Sequence, residues 1–310
     1  MSGDAAVVPG GAVEQALWRL VVPQLVPRAD VAAWAGQDAT DPGWPGRSAA
    51  AYPSVLALAT LAQRTAVRDA LRHLDRWHGA RVLDVGCGPG LVATWIAEAG
   101  AAQVTAVDSS AKMLAVARSL PLPSTVRLAQ AALTDLAGPA WAGRFDVAFC
   151  GDVPLPPAAR AVLLGCLRPG GTLVVRRTRD TPEIAPDDPE LQARLDLAWK
   201  VGARRAGLDW AVRPVGWSLV EVLDGVRWAE ILLRTEVAET LAPAPPVWRH
   251  YLEQRYATTD GPLWTAGLDP RDRALLRDRL DPGSAGSVLD RPGARIAQPT
   301  TFVAARTERR

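Results

Sequence analysis

The residues best suited to chemistry stand together in Val82-Leu83-Asp84-Val85-Gly86-Cys87-Gly88-Pro89-Gly90. A short apolar run that ends in glycines before a helical segment has the form of a nucleotide-cofactor loop. Glycine lets the backbone come close to a ligand. The spacing is G-x-G-x-G with leucine at 91, not the G-x-G-x-x-G that seats a pyrophosphate on a helix N-terminus. Asp84 stands two residues before the first glycine. A carboxylate there repels a pyrophosphate and suits a cation such as an ammonium or a sulfonium. A second acid, Asp108, closes the next apolar run, 24 residues further on. In that position a carboxylate accepts hydrogen bonds from ribose hydroxyls.

The elements that must hold these residues are legible from about 81 to 176. Arg81–Val85, Val104–Asp108, Thr125–Ala129, Phe145–Cys150 and Thr172–Arg176 read as buried strands. Helical segments alternate with them at Leu91–Ala99, Ala111–Leu120 and Pro157–Leu167. This alternation predicts βαβ units and a parallel sheet. Residues 1–80 read as mostly helical, broken at Asp41–Gly46, with a long helical pattern over Tyr52–Trp77. Beyond 181 the expectation is helices at Pro189–Ala206, Val215–Leu223, Val247–Tyr256 and Asp269–Leu280, the last opened by an aspartate cap and a proline. Strands six and seven fall at Trp228–Val237 and Thr300–Ala305.

Composition narrows the class. The chain has 310 residues, 48% of them hydrophobic and 22% charged, which describes a globular protein. Net charge is +2 and lysine is almost absent, so the many arginines reflect a compositional bias and not a nucleic-acid patch. Arg176, Arg177 and Arg179 read as a solvated strand end, and Arg306, Arg309 and Arg310 as a solvated tail. Cys87, Cys150 and Cys166 form neither a disulfide framework nor a paired metal motif, and no metal is expected. No basic leader or membrane-length apolar run is evident, so the expectation is a soluble cytoplasmic protein.

The loop, its preceding acid and the acid after strand two resemble the cofactor motifs of class I, Rossmann-like S-adenosyl-L-methionine-dependent methyltransferases. The resemblance covers roughly 78–176, and Phe145-Asp146 and Leu167-Arg168-Pro169-Gly170-Gly171 match its fourth strand and the turn before its fifth. It implies an α/β fold: a doubly wound, seven-stranded, mostly parallel sheet with N-terminal helices and a helical substrate cap. The corresponding regions are an N-terminal helical lid at 1–77, the cofactor core at 78–180, and cap helices with the last two strands at 181–310. It also implies that Asp84, Gly86, Cys87, Gly88 and Gly90 line the methionine part of the cofactor and that Asp108 binds the ribose. Ser109, Met113, Ala132 and Leu133 would lie near the adenosine, Gly151 and Asp152 beside the methyl-transfer region, and Tyr52 over the cofactor. Alanine stands after strand three, where related enzymes often carry an acid. Strand four lacks the Asn/Asp-Pro-Pro-aromatic motif of the nucleic-acid amino-methylating branch.

The acceptor is less legible. Of 12 tryptophans only Trp95 and Trp141 fall within 81–180, so an aromatic cap over the sheet is expected, with Trp217, Trp248, Tyr251 and Tyr256 as substrate-binding candidates. Such a cap suits a small apolar or aromatic acceptor, or a cationic one. Acceptor nitrogen, oxygen and carbon all stay open; a hydroxyl or carbon acceptor calls for a base, and His250 and Asp152 are the candidates. Two other readings stand beside small-molecule methyl transfer. One is a protein or RNA methyltransferase; the other is a cofactor-binding enzyme of another reaction, such as a cyclisation. The expected partner is a small-molecule substrate, with no nucleic acid or membrane, and a homodimer through the N-terminal helices is allowed.

Overall fold

The structure is a computed structural model that describes residues 10–25, 54–178, 182–205, 222–281 and 283–308. The described strands form one seven-stranded sheet in the order β3-β2-β1-β4-β5-β7-β6. They are β1 Arg81–Val85, β2 Gln103–Asp108, β3 Val126–Gln130, β4 Phe145–Gly151, β5 Leu167–Thr178, β6 Trp228–Leu241 and β7 Arg295–Thr307. Strands β1 to β5 pair in parallel, and β7 runs antiparallel between β5 and β6. This is the doubly wound sheet expected from the sequence. Both β1 and β4 are buried along nearly their whole length, as befits strands covered on two faces.

The order reverses between β1 and β4, and the crevice at such a switch point is where ligands bind in open α/β sheets. One face of the sheet belongs to the larger apolar cluster, which holds Val82, Val104, Phe149, Val174 and Phe302. It is covered by α1 (Ala12–Val21), α2 (Arg64–Leu74), α3 (Leu91–Glu98) and the cap helices. The opposite face, with Leu83, Val107, Ala148 and Val175, packs with α5 (Pro157–Cys166). On the face of the larger cluster, to which it gives Leu114, lies α4 (Ala111–Arg118), opened by Ser110, whose hydroxyl accepts from the Met113 amide at 3.3 Å.

The last two strands run longer than the sequence pattern indicates: β6 continues to Leu241 and β7 begins at Arg295. Their alternation is masked because polar and apolar residues occupy both faces of the outer strand. Since β5 ends at Thr178, opposite Thr300, the β6–β7 hairpin overhangs the sheet's carboxyl edge. Its last rung is Leu241 opposite Arg295, and residues 242–294 leave and return there. The neck is closed by the Ala242 amide on the Ala294 carbonyl and the Gly293 amide on the Ala242 carbonyl.

The cap comprises α6 (Pro189–Arg205), α7 (Pro246–Gln254), α8 (Asp260–Gly267) and α9 (Pro270–Leu280). As the sequence suggests, the Asp269 side chain caps α9 by accepting from the Asp272 amide at 2.9 Å. Helices α6 and α8 touch backbone to backbone, since a Cβ at Gly202 would overlap the Leu263 carbonyl and one at Gly267 the Ala198 carbonyl. The long helical pattern before the core is helical over 54–62 and again over Arg64–Leu74, with a break at Gln63. Tyr52, Trp217, the break at 41–46, most of the helix expected at 215–223 and the tail arginines 309 and 310 lie outside the described residues.

Candidate active site

The glycine loop is built from the strand ends. The amides of Gly86 and Cys87 both donate to the Val107 carbonyl, at 2.9 and 3.0 Å, which ties the loop to the end of β2. Gly86, Gly88 and Gly90 all have positive φ, at 72°, 54° and 82°. At Gly86 an added Cβ would overlap the Val153 side chain, whereas at Gly88 it would meet open space. Gly88 therefore leaves a cradle that a side chain would fill.

Asp108 organises the same corner. Its Oδ2 accepts from the Gly88 amide and its Oδ1 from the Ser110 amide, both at 2.8 Å. The carboxylate thus fixes the loop against the start of α4. Its carbonyl accepts from the Ala131 amide at 3.2 Å, and the Gln130 side chain donates to the Ser109 carbonyl at 3.3 Å. The Ala132 amide is held by Asp135 at 2.8 Å, at the head of a short turn, Leu133–Ala137. Ser109, Met113, Ala132 and Leu133 are therefore gathered around the ends of β2 and β3.

Asp84 is buried between β2 and β4, level with Ala106 and Phe149. Its Oδ2 is fully buried and has no hydrogen-bond partner among the described residues. Burial pushes its carboxyl up to about 7, Arg176 works against that shift, and Asp108 adds to it. A buried acid oxygen with nothing to bond beside a glycine cradle is a vacancy for a cationic donor. The residues present fit the ammonium-bearing end of S-adenosylmethionine. Burial likewise pushes the neighbouring Cys150 thiol up to about 12, and the Cys87 thiol is raised further. Raised in this way, both thiols stay protonated near neutral pH and act as packing residues, not nucleophiles.

On the other side of the switch point stands a second cluster. Gly151 ends β4 opposite Arg176, and a Cβ there would press on the Phe149 ring and the Arg176 Nε, at 3.0 and 3.3 Å. Asp152 follows in the left-handed region, with φ at 55°. Such a backbone costs a non-glycine residue ~1 kcal/mol or more, which the side chain offsets through three bonds. Its Oδ2 accepts from Arg176 Nη2 at 2.6 Å and from the Thr178 hydroxyl at 3.0 Å, and its Oδ1 accepts from the Thr178 amide at 2.6 Å.

The sequence suggests a solvated Arg176; the structure buries it, at 8% exposure. Strand alternation explains the difference. Arg176 shares a face with Val174 and Thr178, while Arg177 points the other way. A charge run at a strand end cannot tell which member faces inward. The residues missed by sequence reasoning are Arg176, Thr178 and the buried polar residues facing them, Gln63, Thr300 and Gln298.

The remaining candidates lie in the cap. His250 rests on the Trp18 ring, with centroids 5.6 Å apart, and its Nδ1 lies 3.7 Å from Glu253. Among the described residues no hydrogen bond or ion pair joins it to Asp84, Asp108 or Asp152. Trp248, Tyr251 and Tyr256 are buried in the larger apolar cluster. Tyr251 donates to Gln298 of β7 at 2.8 Å and accepts from Arg255, and Tyr256 stacks on Trp264 with centroids 4.4 Å apart. Tyr251 thus ties the cap to the sheet, while Tyr256 packs on Trp264 within the cap.

Comparison with known proteins agrees with this geometry. Residues 82–171 match the methyltransferase domain family. Over 110 residues the chain is 41% identical to ubiquinone biosynthesis O-methyltransferases of Xanthomonas campestris and Xanthomonas axonopodis. That match takes in 34% of this chain and 45% of the relatives, so the chain spans less than half the length of the curated proteins it matches. In fold the chain is similar to a proposed type II methyltransferase from Anaeromyxobacter dehalogenans. The TM-score is 0.53 at 20% identity, over 78% of this chain and 97% of the other. The glycine loop, the buried Asp84, Asp108 at the end of β2 and the sheet order agree with the family match: residues 82–171 are similar to a methyltransferase domain.

Proposed function

We propose that the chain transfers the methyl group of S-adenosylmethionine to a small apolar or aromatic acceptor. The observation that carries this reading is the orphaned, buried Asp84 oxygen beside the open Gly88 cradle. Bound S-adenosylmethionine supplies an electrophilic methyl on a sulfonium. In this reading Asp84 receives the ammonium, the backbone of Gly86, Cys87, Gly88 and Gly90 passes close to the methionine chain, and Asp108 accepts from the ribose. Ser109, Met113, Ala132 and Leu133 border the adenine.

The protein's share of the acceleration is then positioning and exclusion of water. Gly151 keeps the floor of the transfer region low, and Asp152 has both oxygens committed to Arg176 and Thr178. Asp152 therefore serves as a positioning residue, and His250 is the side chain left for taking a proton. The polar strand face that includes Thr178, Thr300 and Gln298, roofed by the cap, is the place for the acceptor.

Calorimetric titration with S-adenosylmethionine tests the cofactor half of the reading. Saturable binding that an Asp84→Ala, Asp108→Ala double variant loses supports it; no binding by well-folded wild type overturns it. Incubation of cell extract with methyl-labelled cofactor tests the acceptor half. Label in the small-molecule fraction supports it, and label confined to protein or RNA overturns it.

A further inference from the structure

Resting on the methyl-transfer reading, we propose that Arg176 is the acceptor-recognising residue and that the acceptor is an acid: an apolar or aromatic body bearing a carboxylate. Arg176 reaches the site from the carboxyl end of β5 and is more than nine-tenths buried. A guanidinium carries five N–H donors. Among the described residues only Nη2 has a partner, Asp152, and Nε and Nη1 are buried with none. Leaving two nitrogens of a buried cation, with three N–H donors between them, unsatisfied is costly, and a bound anion removes that cost.

Position separates this group from the cofactor's expected contacts other than Asp84, which lies close enough to feel the Arg176 charge. The glycine loop, Asp108 and Ser110 all lie on the β1–β2 side of the switch point. Arg176, Asp152 and Thr178 lie on the β4–β5 side, where the second ligand must sit. The arginine is also held in place: Asp152 grips it from a left-handed backbone that is itself pinned by the Thr178 amide and hydroxyl. A side chain positioned by a strained residue is aimed at something. Beside the guanidinium lie the Phe149 ring and the bare Cα of Gly151, an apolar wall next to a cation. That pairing fits an apolar acid better than an amine, and Asp152 spends its charge on Arg176 instead of attracting a cationic acceptor.

The test uses the full-length chain saturated with S-adenosylhomocysteine. A panel of aryl and alkyl monocarboxylates, each paired with its neutral amide, is titrated and read by ligand-observed NMR. The expected result is selective binding of acids over amides. Arg176→Gln weakens the acids roughly tenfold to a hundredfold, as loss of a buried charged hydrogen bond predicts, and Arg176→Lys retains part of the preference. Equal binding of acids and amides, no acid binding, or unchanged acid binding in Arg176→Gln overturns the proposal. A control arm compares S-adenosylhomocysteine with 5′-methylthioadenosine, which lacks the amino-acid carboxylate. If Arg176→Gln weakens only the former, the arginine serves the cofactor's carboxylate and the acceptor assignment falls. Failure of wild type to bind S-adenosylhomocysteine defeats the methyl-transfer reading itself and is seen before any acid is added. Where Arg176→Gln does not fold, the double variant with Asp152→Asn removes the partner charge and is read the same way.

Discussion

Asp84 is the residue on which pH should act most visibly. Its carboxyl moves from 3.8 to about 7 on folding because burial disfavours the charge. Between those values the folded chain holds a proton that the unfolded chain has released, so the contribution of Asp84 to stability falls as pH rises. Asp84→Asn should therefore leave thermal stability near pH 4 little changed and raise it, by a few degrees or more, at pH 8 in the unliganded protein. Binding has the opposite sign. Pairing with the cofactor's ammonium needs the ionised acid, so wild-type affinity should climb through pH 7 to a plateau, and the Asn variant should bind weakly and without that climb. Calorimetry at pH 6 and 8 reads both. Gly88 offers a second contrast at this scale. Gly88→Ala and Gly79→Ala both place a methyl at positive φ in open space, at φ 54° and 70°. Each should cost about 1 kcal/mol of stability, measurable by denaturant unfolding. Only Gly88→Ala should also abolish cofactor binding, because its methyl fills the cradle.

At the scale of elements, the α6–α8 crossing is the most exacting contact of the cap. Gly202→Ala sets a methyl against the Leu263 carbonyl, which backbone must move to relieve, at a cost of roughly 1–3 kcal/mol. The expected outcome is a lowered melting temperature with cofactor affinity kept, since none of the cofactor-binding residues lies in either helix. This division matches what the sequence made legible. Five parallel strands and the Asp84–Gly90–Asp108 constellation could be read directly, because each follows from a local pattern: an apolar run, glycines at a turn, an acid at a strand end. The cap could not be placed in the same way. Its helices take their positions from contacts between distant segments, such as Gly202 with Leu263 or Tyr251 with Gln298, and nothing in a single segment announces them. Arg176 was hidden for a related reason: its inward direction is set by register with Gly151 and Phe302, which the arginine-rich stretch does not reveal.

For the molecule as a whole, helix α1 is fastened by one buried carboxylate. Glu14 is fully buried and accepts from Trp95 Nε1 at 2.9 Å and from Arg68 at 3.1 Å, joining α1 to α3 and α2. Removing Glu14 leaves the Trp95 N–H buried and unpaired, while the half-buried Arg68 keeps Glu98 at 2.8 Å, so the cost is about 1–3 kcal/mol. Glu14→Ala should lower global stability by that order and make α1 the first site of cleavage in limited proteolysis, with Glu14→Gln in between. The β6–β7 hairpin has a different reach. Its final rung, Leu241 opposite Arg295, brings together the two ends of a 53-residue excursion (242–294) on the edge where ligands bind. Ends already adjacent ask little loop-closure entropy of whatever is spliced between them. The 242–294 part of the cap is thus an exchangeable cassette: a foreign segment grafted at this neck leaves the glycine loop untouched, provided it keeps a backbone surface for α6, which lies outside the neck and meets α8 at Gly202 and Gly267.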